Sequence, residues 1–417
     1  MFLVFVFSPE HDLNDSKYSI LLSENLLRNH SLAIDEHAVP RLAVMPPGYR
    51  ENGYPYQLDI VNGVLLYRYP AGSSVLSLPF VALANIAGVS AHTADGRYRI
   101  RGELYIQAAL ASLLMATLTV VFFRIALLML PVIWSVVLAL GGVLSTQIWS
   151  TASRVLWSHT WQILLFGVVI YILLSEEERD ARGRPILLAT LMSWAYFVRP
   201  TSSIPIAAIS IYMLIFRRKE FFAYASTGAM WLIVFIAYSW RTFGTVLPAY
   251  YLFQLSSQHF WEALAGDLIS PSRGLFIYVP STMFVLALSA YYWRTLPHRR
   301  LAVVCLSIIA VHLIVISTDP GWWGGHCYGA RLSTDIVPWF FLLAVLATRC
   351  LVDEGRPMMK QFAVMLGLLT LVIGTFMNGR GAISYPANNW VNVPVNVDRD
   401  SHRVWDWSDP QFLAGLH

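Results

Sequence analysis

The chain has 417 residues, of which 56% are hydrophobic and 13% are charged, with a formal net charge of +4 and a mean hydropathy of +0.55. Soluble domains usually carry about a quarter charged residues, so this composition excludes an ordinary soluble globular protein. The apolar residues form runs that approach the roughly 20 residues a helix needs to cross a bilayer. The sequence has no basic stripe, zinc-finger spacing or RNA-binding motif, which argues against nucleic acid as a partner.

The N-terminal region predicts one helix end and one large loop. Residues 1–7 (MFLVFVF) are too short to span and lack the features of a signal peptide. We expect them to be the end of a first membrane helix whose beginning is missing from this chain. Residues 8–103 then form a large first extracytoplasmic loop. Within it, residues 71–91 are long enough to span, but Pro70, Pro79 and the serines favour a bent interfacial or re-entrant helix.

The rest of the chain predicts an all-α, polytopic integral membrane protein with about ten or eleven transmembrane helices. Residues 104–377 form the multi-helix transmembrane domain, and residues 378–417 form a polar extracytoplasmic tail. The predicted spans are 104–123, 130–148, 160–175, 185–198, 203–216, 222–240, 275–293, 301–317, 334–349 and 361–377.

Basic residues predict the orientation of these helices. One set of alternate short loops is rich in arginine and lysine, and the opposite set is poor in them. Cytoplasmic loops carry the excess of basic residues, so the rich face is predicted to be cytoplasmic. The rich face holds Arg124, Arg179, Arg182, Arg184, Arg217, Arg218, Lys219, Arg294, Arg299, Arg300, Arg349, Arg356 and Lys360, against Arg154, Arg199, Arg241, Arg273 and Arg331 on the other face.

Polar and aromatic motifs gather on the face that is poor in basic loops. The first is NDSKY (14–18), directly after the predicted first helix end. The carboxylate of Asp15 could accept a proton from an attacking hydroxyl as a general base, and Asp12 could share that role. The alternative is that Asp15 caps the helix that follows.

Two arginine motifs on this face suit an anion. In LYRYP (66–70), Arg68 lies between Tyr67 and Tyr69, and a guanidinium with flanking phenols suits a phosphate. Arg68 could equally be an interfacial anchor. In VRPTSS (198–203), Arg199 interrupts an apolar run and could form an anion site, although a simple helical hairpin explains the prolines as well.

His159 and Arg154 belong to WSTASRVLWSH (149–159), which holds two tryptophans and precedes a predicted span. A lone histidine at that depth is more often a hydrogen-bonded structural group than a catalyst. Arg273 lies in a further motif of the same face, SPSRG (270–274).

The segment DPGWWGGHCYGAR (319–331) is the most specific motif. Its glycines exclude a regular helix and permit close backbone approach to a ligand. Trp322 and Trp323 offer flat faces to a sugar or an isoprenoid chain. Arg331 and Asp335 are spaced for an intrahelical ion pair. The alternative is a tight interhelical loop.

In order along the chain, NDSKY, YPAGSSVLSLPF, STASRVLWSH, VRPTSS, SPSRGLFIYVP, WWGGHCYGARL and RVWDWSDPQF resemble the membrane glycosyltransferases of the GT-C superfamily. That group includes protein O-mannosyltransferases and aminoarabinose transferases. The sequence contains no phosphate-binding loop, zinc-protease motif or serine nucleophile motif.

The resemblance implies a polyprenyl-phosphate-linked sugar donor, an unidentified acceptor, a location in the inner cell membrane, and an active face on the extracytoplasmic or periplasmic side. It places the catalytic base at Asp15, with Asp12 second. No cofactor is required, although a divalent metal is compatible. The resemblance places Arg68 near the donor phosphate, and Arg199, Arg273 and Arg331 could supply further phosphate-binding donors. The predicted pocket residues are Tyr67, Tyr69, His159, Trp322, Trp323, His326 and Tyr328.

Two other functions remain open from the sequence. One is a transporter or flippase of lipid-linked saccharides, which usually has broken helices with polar groups near the membrane midplane. Here the polar residues lie at one rim, which favours an enzyme. The other is an inactive scaffold, because the predicted first helix is shortened.

Overall fold

A computed structural model describes residues 1–42, 53–179, 183–252, 256–354 and 357–416. Helix accounts for 66% of the structure and strand for 3%, which confirms a mostly helical fold. Two of the basic residues used to predict orientation, Arg182 and Arg356, lie outside the described residues.

A π-helical turn at Ile148–Ala152 and several 3₁₀ turns lie between the α-helices. In the described part of the chain the α-helices are α1 (Phe2–Val6), α2 (Ser19–Asn29), α3 (Gly72–Leu76), α4 (Leu78–Ile86), α5 (Ile100–Leu127), α6 (Val132–Leu144), α7 (Ser158–Glu178), α8 (Pro185–Val198), α9 (Ser203–Phe216), α10 (Arg218–Phe243), α11 (Phe260–Ile269), α12 (Leu275–Tyr278), α13 (Ser281–Tyr291), α14 (Arg299–Ile316), α15 (Val337–Glu354), α16 (Pro357–Ile383) and α17 (Tyr385–Asn389).

Each predicted span overlaps an apolar helix, and the predicted span 275–293 is divided into α12 and α13. Among the described residues, six helical segments are long and apolar enough to cross a membrane: Ile100–Leu127, Ser158–Glu178, Arg218–Phe243, Arg299–Ile316, Arg331–Asp353 and Pro357–Ile383. Four other predicted spans correspond to shorter apolar helices, at Val132–Leu144, Pro185–Val198, Pro200–Phe216 and Ser281–Tyr291. These helices indicate a membrane protein.

The helices differ in how much of their surface is covered by protein. In its most apolar stretch the segment that contains α15 is 83% buried, and α15 packs on α5, α6, α7, α13 and α14. The corresponding stretch of α10 is only 11% buried and exposes Met230, Leu232 and Ile233. A large apolar face without a protein partner is costly in water and typical of a helix that faces lipid.

The first loop contains short helices and a β-hairpin. Residues 71–91 do not form one spanning helix, because α3 and α4 divide them. Strands β1 (Leu58–Val61) and β2 (Val64–Tyr67) pair antiparallel, with Leu58 opposite Tyr67. The two residues between the strands, Asn62 and Gly63, both have positive φ, as a two-residue hairpin turn requires. This short hairpin is a local addition to a fold that is otherwise consistent with the all-α prediction, and it forms where alternating apolar residues flank an Asn-Gly turn.

The helix ends next to the basic loops meet in a charged cluster. His298 forms hydrogen bonds through Nδ1 to Glu177 at 2.7 Å and through Nε2 to Glu178 at 2.5 Å, which joins the start of α14 to the end of α7. Arg217, before α10, pairs with Glu176 at 2.6 Å. The opposite helix ends carry the predicted motifs and meet one another at a separate site.

Candidate functional site

Asp15 lies in the turn before α2 and does not cap that helix. The helix begins after Tyr18, whose positive φ ends the turn, and no side chain caps it. The hydroxyl of Tyr69 donates to Asp15 Oδ1 at 2.9 Å, and the hydroxyl of Tyr67 donates to the Asp15 backbone oxygen at 2.6 Å. Burial first, and then the Asp15 charge, raise the pKa of Tyr69, so its phenol stays protonated and donates to the carboxylate.

Arg331 is the cationic partner of Asp15. Its NH1 lies 3.1 Å from Asp15 Oδ2, and its NH2 donates to the Gly324 oxygen at 3.0 Å. The guanidinium also lies over the ring of Trp157, 4.4 Å from its centroid. The predicted pair between Arg331 and Asp335 was wrong, because residues 331–336 form a 3₁₀ helix and Arg331 turns toward the first loop instead.

Asp335 forms the centre of a second cluster. His159 Nδ1 lies 2.5 Å from Asp335 Oδ1, and Arg199 Nε donates to Oδ2 at 2.9 Å. The hydroxyl of Thr201 also donates to Oδ2, at 2.6 Å. Asp335 and His159 are buried, so this cluster joins α7, α8 and the start of α15 and fixes the position of Arg199. His159 is therefore a buried, hydrogen-bonded member of this cluster.

A polar cavity of about 450 Å³ lies beside Arg331, and we name it the Arg154 cavity. Its walls come from the segment after α1, the turn before α7, the 319–331 loop and α17. Arg154 belongs to the motif WSTASRVLWSH (149–159) but was not among the predicted phosphate-binding or pocket residues. The lining includes Glu10, His11, Asp12, Asn14, Arg154, Trp157, His326, Tyr328, Arg331, Asn388, Asn389 and Asn392.

A second polar cavity, of about 330 Å³, contains two of the predicted phosphate-binding residues, and we name it the Arg68 cavity. Arg68 is exposed and follows β2, and Arg199 follows α8. The cavity is further lined by Tyr250, Leu252 and the end of α14 at Ile316. It lies at the ends of apolar helices, with the exposed side chain of Leu252 beside it.

Contacts of Asp15 connect the walls of these two cavities. Arg331, which pairs with Asp15, lines the Arg154 cavity. Tyr69, which bonds to Asp15, packs its ring 5.1 Å from the ring of Tyr250, which lines the Arg68 cavity. Asp15 therefore contacts the wall of one cavity directly and the wall of the other through Tyr69, and its side chain is 33% exposed.

The 319–331 loop is held by a buried arginine. Arg273 donates to the Trp323 oxygen at 2.5 Å and to Gln411 Oε1 at 2.6 Å. In both hydrogen bonds the guanidinium donates to a protein acceptor, so Arg273 connects the loop to the C-terminal tail. Gly329 has a φ of +57° and lies where a Cβ would be 2.6 Å from the Tyr278 ring, so only glycine fits there.

The aromatic residues of this loop are placed differently from one another. Trp322 is buried against Trp405, whereas Trp323 donates to Asp398 Oδ1 at 2.9 Å. His326 and Tyr328 both line the Arg154 cavity. The structure thus brings His326 and Tyr328 near Arg331 and uses the tryptophans to anchor the loop.

An apolar cavity of about 100 Å³ lies between α6, α13, α15 and α16. Gln147 lines its polar end and donates to the Ala330 oxygen at 3.1 Å, next to Arg331. Its apolar lining is typical of a site for a hydrocarbon chain and not of a catalytic site. Across the described ranges, no group of three or more histidines, cysteines and carboxylates could hold a metal ion.

Comparison of the chain with protein families, with curated protein sequences and with solved structures found no match. The functional assignment therefore depends on the residues and contacts of this chain.

Proposed function

We propose that this protein is a membrane glycosyltransferase that moves a sugar from a polyprenyl-phosphate donor to a hydroxyl-bearing acceptor. The observation that carries the proposal is the pairing of Asp15 with Arg331, a wall residue of the Arg154 cavity. Tyr69 also links Asp15 to Tyr250 in the wall of the Arg68 cavity. A transfer between two substrates needs a proton acceptor at the point where they meet. The order of the motifs, similar to that of the GT-C superfamily, agrees with this reaction.

The Arg68 cavity is the better site for the donor. Its arginines, Arg68 and Arg199, can neutralise a phosphate. The cavity opens at the ends of apolar helices, where a lipid-linked phosphate would arrive from a bilayer. Arg199 is already held by Asp335 and by the Ser158 hydroxyl at 2.8 Å, so its position is fixed before a ligand binds.

The reaction is a single displacement. The acceptor oxygen attacks the anomeric carbon of the donor sugar while its proton passes to an oxygen of Asp15. The bond between the anomeric carbon and the phosphate oxygen breaks, and the leaving phosphate takes the electron pair. One displacement inverts the anomeric centre. Negative charge moves from Asp15 to the phosphate. Arg331 faces Asp15, and Arg68 and Arg199 can compensate for the charge that develops on the phosphate.

The distribution of basic loops supports an orientation for this site. The charged cluster around His298 and Arg217 lies at the basic-loop ends of the helices, which the positive-inside rule places in the cytoplasm. Asp15 and Arg331 belong to the opposite helix ends. The proposed active face is therefore extracytoplasmic, in the inner membrane of a cell with a periplasm.

The test uses the full chain, purified in detergent and incubated with polyprenyl-phosphate sugars and an envelope extract. We expect the unmodified protein to transfer sugar and Asp15→Asn to lose transfer by at least about a hundredfold, because the general base is lost. Asp95→Asn is the matched control. Asp95 is exposed, pairs with Arg97 and lines neither polar cavity, so this variant should remain active.

Two outcomes would overturn the proposal. Full activity of Asp15→Asn would remove Asp15 as the base. Tight binding of a lipid-linked sugar without transfer, unchanged in Asp15→Asn, would indicate a transporter, a flippase or an inactive scaffold.

A further inference from the structure

Arg154 is buried in the wall of the Arg154 cavity with most of its donors unused. Only 4% of the residue is exposed. Its NH1 donates to the backbone oxygens of Gly381 and Ala382, whereas its Nε and NH2 have no hydrogen-bond partner within the described residues. A buried guanidinium with unused donors is costly, and a bound anion would satisfy it.

Arg331 adds a second cation to the same wall. Its Nε is also buried without a partner in the described part of the chain. The only described counter-charge of Arg331 is Asp15, whose carboxylate accepts from two tyrosines as well. The inner end of the cavity thus has more cationic donors than the protein itself satisfies.

The acidic residues of the cavity lie farther out. Asp12 is exposed and Glu10 is partly exposed, whereas Arg154 is buried. Burial raises the pKa of Glu10, an effect that nearby Arg154 only partly offsets. The charge therefore changes from basic at the buried end to acidic near the surface. Such an arrangement fits a ligand with an anionic group at its inner end and hydroxyl groups at its outer end.

We propose that the Arg154 cavity binds the acceptor, and that this acceptor carries a phosphate or carboxylate that bonds to Arg154 and Arg331. The inference rests on the proposed function, because it assigns the second substrate of the same site. At about 450 Å³ the cavity has the size of a small-molecule pocket and would hold one charged sugar unit. Arg331 then holds the acceptor beside Asp15, where its hydroxyl can lose a proton.

The Arg68 cavity is a poorer site for this ligand. One of its two arginines, Arg199, already donates hydrogen bonds to Asp335 and Ser158. The cavity also contains the exposed carboxylate of Asp319. Loss of anion binding in an Arg154 variant would therefore place the anion in the Arg154 cavity and not in the Arg68 cavity.

The test measures binding to the full chain in detergent by calorimetry, with glucose 6-phosphate, glucuronate and glucose as probes. We expect at least one of the two anions to bind at least tenfold more tightly than glucose. The anion that binds identifies the group as a phosphate or a carboxylate. Arg154→Met should weaken binding of that anion at least tenfold, and Arg68→Gln should leave it within twofold. Equal binding of all three probes, or a loss with Arg68→Gln alone, would overturn the inference.

A second variant tests the same cavity if Arg154→Met does not fold. Asn389 lines the cavity, is partly exposed and lies on the short helix α17, so Asn389→Trp should fill the cavity without removing a charge. We expect it to weaken anion binding at least tenfold, and unchanged binding would contradict the proposed location.

This binding measurement does not require transfer. If the protein binds the anions through Arg154 but transfers no sugar, the proposed function fails and the site remains. If it transfers sugar and Arg154→Met leaves the KM for the acceptor unchanged, the inference fails and the function remains.

Discussion

The carboxylate of Asp15 and the guanidinium of Arg331 lie 3.1 Å apart although 316 residues separate them in the chain. Their pairing joins the first loop to the 319–331 loop. Arg331 also contacts Gly324 and Trp157, so one guanidinium connects three separate segments. The pair can exist only when the helices between them are assembled, which makes it a sensitive reporter of the site.

Replacement of Arg331 by lysine should reduce transfer about a hundredfold. Lysine keeps the charge but loses the planar fork that reaches Asp15 and the Gly324 oxygen together, and it stacks less well on Trp157. The measurement is the initial rate of sugar transfer at saturating donor. Arg97→Gln is a suitable control, because its exposed ion pair with Asp95 contributes little. A lysine variant with the parent rate would show that only the charge matters.

Removal of the Tyr69 hydroxyl should slow transfer about tenfold. A hydrogen bond to a charged group contributes roughly 1.5–3 kcal/mol, and Tyr69→Phe removes one from the Asp15 carboxylate. Tyr67→Phe is the matched control, because Tyr67 donates to the Asp15 backbone and not to its carboxylate. We expect kcat to fall in Tyr69→Phe by more than in Tyr67→Phe. Equal effects would mean that both phenols only support the loop.

The helices could be predicted from the sequence because apolar runs of spanning length have few other solutions. Every predicted span overlaps an apolar helix of the structure, although the span 275–293 is broken between Tyr278 and Ser281. The hairpin at 58–67 was missed although an Asn-Gly turn between alternating apolar residues is a known signal. Its omission mattered, because β2 places Tyr67, Arg68 and Tyr69 at the site.

The partners of charged residues could not be predicted from spacing. Arg331 and Asp335 are four residues apart, yet a 3₁₀ turn directs them to different clusters. The unused donors of Arg154 depend on what surrounds the side chain in three dimensions, and residue type alone does not reveal them. The glycosyltransferase assignment and the roles of the site residues stay predictions.

Replacement of Asp335 by asparagine should destabilise the protein by about 3–5 kcal/mol. The change leaves Arg199, whose side chain is only 12% exposed, without its counter-charge. It also replaces one carboxylate oxygen by an NH2 group, so acceptors for His159, Arg199 and Thr201 are lost in part. Thermal unfolding in detergent measures it, with Asp319→Asn as the control, because Asp319 is exposed. The double variant with Arg199→Gln should recover part of the loss, since the uncompensated charge is then gone. Strict additivity would mean that the two residues do not stabilise each other.

Asp267 should make stability fall as pH rises. Burial raises the pKa of this carboxyl to about 8, and the Ser317 hydroxyl, which donates to it at 3.0 Å, only partly offsets the effect. The folded state therefore holds its proton between about pH 4 and pH 8, where the unfolded state has released it. The stability that Asp267 contributes is highest at or below about pH 4 and is lost progressively up to about pH 8.

Asp267→Asn should abolish this loss, because the amide stays neutral at every pH. We expect the unfolding temperature of the parent to fall between pH 5 and pH 9 and that of the variant to change less. Above pH 8 the variant should be the more stable protein, by up to about 5 kcal/mol for a pKa raised from its usual value near 4. Parallel curves for the two proteins would show that Asp267 is ionised in the folded state, and that Ser317 and its surroundings compensate for its burial.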